Sequence, residues 1–197
     1  FPGITDMKRL FDMKRLLILL LPLLLAVAEP MASGQEFALS TNLADYAELG
    51  TLNFSASYGV SRHWSLNADL KYNPFTYKKE ESLLQHRQRS ISAGARYWPW
   101  HIFSGWWLSA AVKYQEYNSG GLVSAVTTEG DRFGGSFGGG YTFMLAPFLN
   151  FDFGLELCTG YGSYTTYACP SCGKKVGEGG KLFLLPADIL LGLSFIF

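Results

Sequence analysis

LNFDFGLELC, residues 149–158, alternates without a break. Leu149, Phe151, Phe153, Leu155 and Leu157 fall on one side. Asn150, Asp152, Gly154 and Glu156 fall on the other. A period of two is the signature of an extended strand; a helix would mix both carboxylates and the glycine into the apolar stripe. The pattern also separates greasy from ionisable groups completely, so the strand must lie between two different environments.

Working outward, the same alternation recurs in FALSTNL (37–43), TLNFSASYGV (51–60), WSLNADLKY (64–72), SISAGARY (90–97), WWLSAAVKY (106–114), RFGGSFGGGYTF (132–143) and the tail PADILLGLSFIF (186–197). Glycines inside these segments would each cost a helix about 1 kcal/mol. The count is about eight strands of about ten residues, the length that crosses a bilayer at a tilt. Connections alternate too. Residues 61–63, 98–105 and 144–147 are short, whereas 73–87, 117–131 and 159–181 are long and polar. A short link near Asp45–Gly50 is the exception. Short turns at one end and long loops at the other fit an all-β, eight-stranded, antiparallel up-and-down transmembrane β-barrel.

Two further features place lipid outside. The polar row carries Asp69, Lys71, Arg96, Lys113, Asp152, Glu156 and Asp188, three bases and four acids that can neutralise one another in a narrow lumen. Trp64, Trp98, Trp100, Trp106 and Trp107 all lie beside the short turns, with tyrosines such as Tyr72, Tyr114 and Tyr161 at the opposite ends, as two interfacial aromatic belts would require. Phe197, in the apolar row, reads as a terminal assembly signal. Eight strands leave room for side chains only, so no open channel is expected.

At the other end, LLILLLPLLLAVA follows Lys14 and Arg15 and stops at Glu29-Pro30, too short for a spanning helix. It reads as a secretory signal, cleaved after Gly34 or Ala28. Residues 1–34 are therefore upstream sequence and signal, and 35–197 the barrel. Met7 and Met13 are both candidate starts. Lys+Arg and Asp+Glu each number 16, so no net positive charge favours nucleic acid.

Three cysteines occur, Cys158, Cys169 and Cys172. Cys169-Pro-Ser-Cys172 lacks the second pair of a zinc ribbon and the βαβ setting of a redox motif. An oxidising compartment favours a disulfide closing this loop, with a bond from Cys158 as the alternative. No metal, cofactor or catalytic set is expected. His63 and His101 lie at the short turns and His86 in a long loop, and no G-x-S-x-G or H-E-x-x-H occurs.

LSTNLADYAELGTLNFSASYGVSRHWSLNADLKYNPF, ARYWPW with FSGWWLSAAVKYQEYN, and CPSCGKK with LLPADILLGLSFIF carry a resemblance. The chain resembles an uncharacterised family of small outer-membrane barrels from Gram-negative gut and oral anaerobes, some encoded near fimbrial genes. That resemblance implies a cell outer-membrane location. Expected partners are outer-membrane lipid and lipopolysaccharide, which the basic loop of Lys174, Lys175 and Lys181 suits, the barrel assembly machinery, to which Phe197 would be presented, and a surface-complex or fimbrial protein. The resemblance supplies no catalytic residues. The leading expectation is a non-enzymatic barrel comparable to the transmembrane part of OmpA, serving envelope structure, surface binding or anchoring. A lipid-modifying outer-membrane enzyme and a soluble lipocalin-like carrier are the alternatives.

Overall fold

The computed structural model describes residues 36–79, 82–120, 126–169 and 173–197. The signal sequence expected over residues 1–34 lies outside them.

In chain order the elements are β1 (Phe37–Asn42), α1 (Leu43–Ala47), β2 (Leu52–Gly59), β3 (Trp64–Asn73), β4 (Thr76–Lys79), β5 (Ser82–Tyr97), β6 (Gly105–Gly120), β7 (Thr127–Ala146), β8 (Leu149–Tyr167) and β9 (Lys175–Ile196). β1 to β3 and β4 to β9 each pair antiparallel with the next strand in the chain, β3 pairs with β5 across β4, and β1 returns to β9. The result is a closed eight-stranded β-barrel. β4 stands outside the ring count, as a short hairpin partner on the start of β5. Closure along Ala38–Asn42 and Gly192–Ile196 joins the two ends of the sheet, so the ring has no open edge at that height.

The pleat then decides the faces. On the outside, Leu70, Ile91, Val112, Phe137, Leu155 and Ile189 are all more than half exposed. Inside, Ser57, Ser65, Ser136, Thr142, Asn150, Asp152 and Ser194 are buried. The apolar row therefore points away from the barrel axis and the polar row fills it.

The strands run well beyond their alternating segments. Much of 73–87, 117–131 and 159–181, read from sequence as loop, is ladder: β6 pairs with β7 from Gly105↔Thr142 to Gly120↔Thr127, and β8 pairs with β9 as far as Tyr167↔Lys175. Alternation fades there because both faces meet similar surroundings, while the backbone hydrogen bonds continue and Thr, Tyr and Ser suit extended backbone.

A second difference is at residues 43–51. The expected short turn contains one helical turn. Asn42 Oδ1 caps it by accepting from Ala44 N at 3.2 Å, and it ends where Leu49 and Gly50 take φ of 51° and 74°. Asn42 also ends the β1–β9 ladder. Its side chain accepts from Leu191 N at 2.9 Å and donates to Ile189 O at 3.0 Å, standing in for the next strand residue.

The turn end is sealed. Residues 98–104 fold beneath the barrel, held by Ile102 N donating to Arg62 O at 2.8 Å and Asn150 Nδ2 to Phe103 O at 2.6 Å. Trp98, Trp107, Ile102 and Phe103 pack there with Ala38 and Ile196. This corrects the aromatic-belt reading for two residues. Trp98 and Trp107 are each only 1% exposed and form an internal plug, whereas Trp64, Trp100 and Trp106 stand on the outer surface. The parity of the strand is the cause: Trp106 points out, so its neighbour Trp107 must point in.

Candidate functional site

The lumen is built in tiers above the tryptophan plug. In the lowest tier Trp98 Nε1 donates to Ser65 Oγ at 3.1 Å, and a chain of short polar side chains continues through Asn67 to Ser57. Arg96 lies over the Trp107 ring, its guanidinium carbon 4.3 Å from the centroid. A half-buried cation over an indole face gains attraction from the ring, and Glu156 lines the same cavity.

Of the charged residues expected to form one network, Asp69, Lys71, Arg96, Lys113, Glu156 and Asp188 line one small cavity together, and Asp152 stands apart from it. Asp152 is satisfied by the hydroxyls of Thr142 and Ser194. Asp69 accepts from Ser92 Oγ at 2.9 Å and Glu156 from Ser109 Oγ at 3.1 Å. Direct ion pairs among the seven join Lys71, Lys113 and Asp188. Asp188 takes Lys113 Nζ at 3.0 Å on one oxygen and Lys71 on the other. Small hydroxyl side chains on neighbouring strands supply the direct hydrogen bonds of the remaining carboxylates.

One member of this cluster lay outside the alternating strands. Asp45, on α1, is buried and accepts from Lys71 Nζ at 2.8 Å. It sits in the link read as a plain turn, so strand parity gave no sign of it. The available signal was LADYAELG itself: an acidic residue flanked by Leu43 and Tyr46, just after an asparagine able to cap a helix. Next to it, Glu48 Oε1 lies 3.1 Å from His86 Nε2 of β5, and this ring holds the Glu48 carboxyl below the usual carboxylate range. Asn73 Nδ2 closes the same corner, donating to Leu49 O at 3.2 Å and Thr51 Oγ1 at 3.0 Å.

Above the lysine–aspartate cluster a cavity of about 150 Å³ opens. Lys71, Lys113 and Asp188 form its floor, Arg132 and Cys158 one wall, and Phe183, Leu185 and Pro186 of β9 another. Arg132 stacks on Tyr117, 3.9 Å from the ring centroid, and faces Phe183 at 5.8 Å. No carboxylate within ion-pair distance meets it among the described residues. Outside, toward the loop end, Arg89 pairs with Glu116, and Tyr114 Oη donates to Glu116 at 3.0 Å.

Cys158 is a buried free thiol, which removes the alternative in which it bridges to another cysteine. The Cys169–Cys172 pair falls partly on residues 170–172, outside the described residues. Phe197 is exposed, and Phe197 N donates to Phe37 O at 2.8 Å. Among the described residues no three His, Cys, Asp or Glu side chains are grouped to hold a metal, and no helix is long and apolar enough to cross a membrane, a point without bearing on strands.

No curated protein matches the chain. A family model does match, over residues 17–197, which takes in every element of the barrel. The chain belongs to the family described as protein of unknown function (DUF3575).

Proposed function

We propose that the protein is a non-enzymatic barrel of the Gram-negative outer membrane, delivered by a cleaved signal sequence and inserted by the barrel assembly machinery. It would serve envelope structure, surface binding or the anchoring of a surface complex or appendage. The observation that carries this reading is the outward apolar band. It continues around the ring on β2, β3, β5, β6, β7, β8 and β9, through Phe54, Leu70, Ile91, Val112, Phe137, Leu155 and Ile189. Isolated exposed leucines are ordinary on soluble proteins, but a continuous apolar girdle has no favourable place in water and suits hydrocarbon. Trp64, Trp106 and Tyr58 border the band at the turn end, and Tyr72, Tyr114 and Tyr161 at the loop end.

A filled lumen argues for structure or binding over conduction. The long β8–β9 hairpin carries exposed Lys174, Lys175 and Lys181 beyond the band, suited to acidic lipopolysaccharide headgroups or to a partner protein. A Cys169–Cys172 disulfide would stiffen the hairpin tip, with little effect on the barrel because so short a loop saves little chain entropy.

Membrane fractionation with heat-modifiable electrophoresis tests the reading. The protein should sediment with outer membrane and migrate faster unheated than boiled. Recovery in the soluble periplasmic fraction, with one mobility under both conditions, would overturn it.

A further inference from the structure

The barrel wall is uneven in height beside β9. β1 accompanies β9 only from Ala38↔Ile196 to Asn42↔Gly192. Beyond that point β9 runs on to Lys175, and no strand among the described residues pairs with its outer edge. The place of the missing strand is taken by α1, which packs on β9 and is pinned to the lumen by Asp45 and Lys71. Along this unpaired stretch the outward side chains remain apolar: Ile189, Leu184 and Leu182 are all exposed. They pair across to Leu155, Thr159 and Tyr161, within the apolar band. Pro186, which has no N–H to give a neighbouring strand, lies in this stretch next to a register shift.

The 150 Å³ cavity touches this seam from the inside, since Phe183, Leu185 and Pro186 line it on the β9 side and Glu48 on the α1 side. Its charge is asymmetric. Lys71, Lys113 and Arg132 face Glu48 and Asp188, three cations to two carboxylates. Both lysines are already engaged by Asp188, so the excess cation is Arg132. Its guanidinium carbon sits over the Tyr117 ring at 3.9 Å and, more distantly, over the Phe183 ring at 5.8 Å. Stacking of this kind leaves the edge donors free, and those donors fit a planar pair of phosphate oxygens.

We propose that this cavity takes the phosphate headgroup of a lipid from the surrounding outer leaflet, held on Arg132 and admitted sideways through the seam between β9 and α1. The volume corresponds to about five waters, enough for a phosphate and the first atoms of its glycerol but not for acyl chains. The chains would remain outside, along Leu182 and Leu184. This inference rests on the membrane reading above.

The test uses the full mature chain, purified in a neutral detergent and titrated by native mass spectrometry with dihexanoyl phosphatidic acid, dihexanoyl glycerol or inorganic phosphate. Phosphatidic acid should bind in one-to-one ratio; dihexanoyl glycerol, which lacks the charge-assisted hydrogen bonds to Arg132, should bind more weakly by about tenfold or more, and inorganic phosphate, which lacks the apolar contacts along Leu182 and Leu184, should bind more weakly by about tenfold as well. Arg132→Gln should reduce phosphatidic acid binding by a similar factor, and Arg132→Lys by less. Arg87→Gln, an exposed change away from the cavity, should leave it unaltered. Equal binding by Arg132→Gln and wild type would overturn the site. Equal affinity for inorganic phosphate and phosphatidic acid would overturn the lipid source. The unheated fast-migrating band reports folding separately. A wild-type chain that shows this band but does not discriminate among the probes defeats the inference alone, whereas a chain that stays soluble without detergent defeats the membrane reading. Should Arg132→Gln lose the band, Arg132→Lys decides, since it keeps the charge and loses only the planar fork.

Discussion

Asp188 is the most constrained single residue, because one carboxylate serves two ammonium groups inside a barrel. Removing one partner of a buried ion pair typically costs about 3–5 kcal/mol, since the charges left behind cannot recover water. Asp188→Asn leaves Lys113 without a carboxylate and Lys71 with Asp45 alone. Urea unfolding in lipid or detergent should shift by that amount, and the added change Lys113→Met should return part of it. Glu48 gives a pH-dependent counterpart at the end of α1. Its folded pKa is depressed by His86, so its contribution is complete above the ordinary carboxylate range and disappears as pH falls through the depressed value. Amide exchange at Gly50 and Thr51, corrected for intrinsic rates, should therefore quicken below about pH 4, and Glu48→Gln should exchange quickly at every pH. Parity placed the charged residues of the strands on the inner face from sequence alone. It could not reveal which would meet each other, because barrel stagger, and not chain position, sets the height of each side chain. Asp45 was invisible to it altogether.

Among the elements, β8 shows how strictly the pleat divides the two environments. Leu155 is outside and its neighbour Gly154 inside, where an added Cβ would lie 2.6 Å from Cζ2 of the buried Trp107. Leu155→Arg should cost about 2–4 kcal/mol through its burial at mid-bilayer. Gly154→Ala should cost about 1–3 kcal/mol through overpacking. Lipid thickness distinguishes the two: thinning the host bilayer should relieve the arginine and leave the alanine unchanged. Equal responses would contradict the assignment of faces. Strand existence and direction were readable because Leu149 to Leu157 alternate perfectly, as do Leu52 to Val60 and Trp64 to Tyr72. Strand ends were not. Beyond Tyr161 and Tyr114 the chemical contrast between faces vanishes, so the sequence loses its period while the ladder persists.

At the scale of the whole molecule, the plug of Trp98, Trp107, Ile102 and Phe103 and the side chains above it close the axis. In a planar bilayer the protein should therefore add no steady ion conductance; a stable open level would show that the plug or the lysine–aspartate tier moves aside. The expectation of no pore comes from the strand count, since eight strands enclose no more than their own side chains. The identity of the plug was not legible in the sequence, because residues 98–104 follow no period and their tryptophans suit an interface as well as an interior. The α1 break in the wall was equally hidden, since it depends on β1 being short while β9 is long.

The β1–β9 seam also bears on the order of assembly. Its partners, such as Ser40 and Ser194, are 154 residues apart in the chain, and the join there runs only from Phe37, bonded to Phe197, to Asn42. Contacts so distant along a chain form late. An unclosed sheet of the other strands is thus the natural intermediate, and its rolling shut the slow step. Wherever such a cylinder is pulled apart again, it should unzip from this same short join.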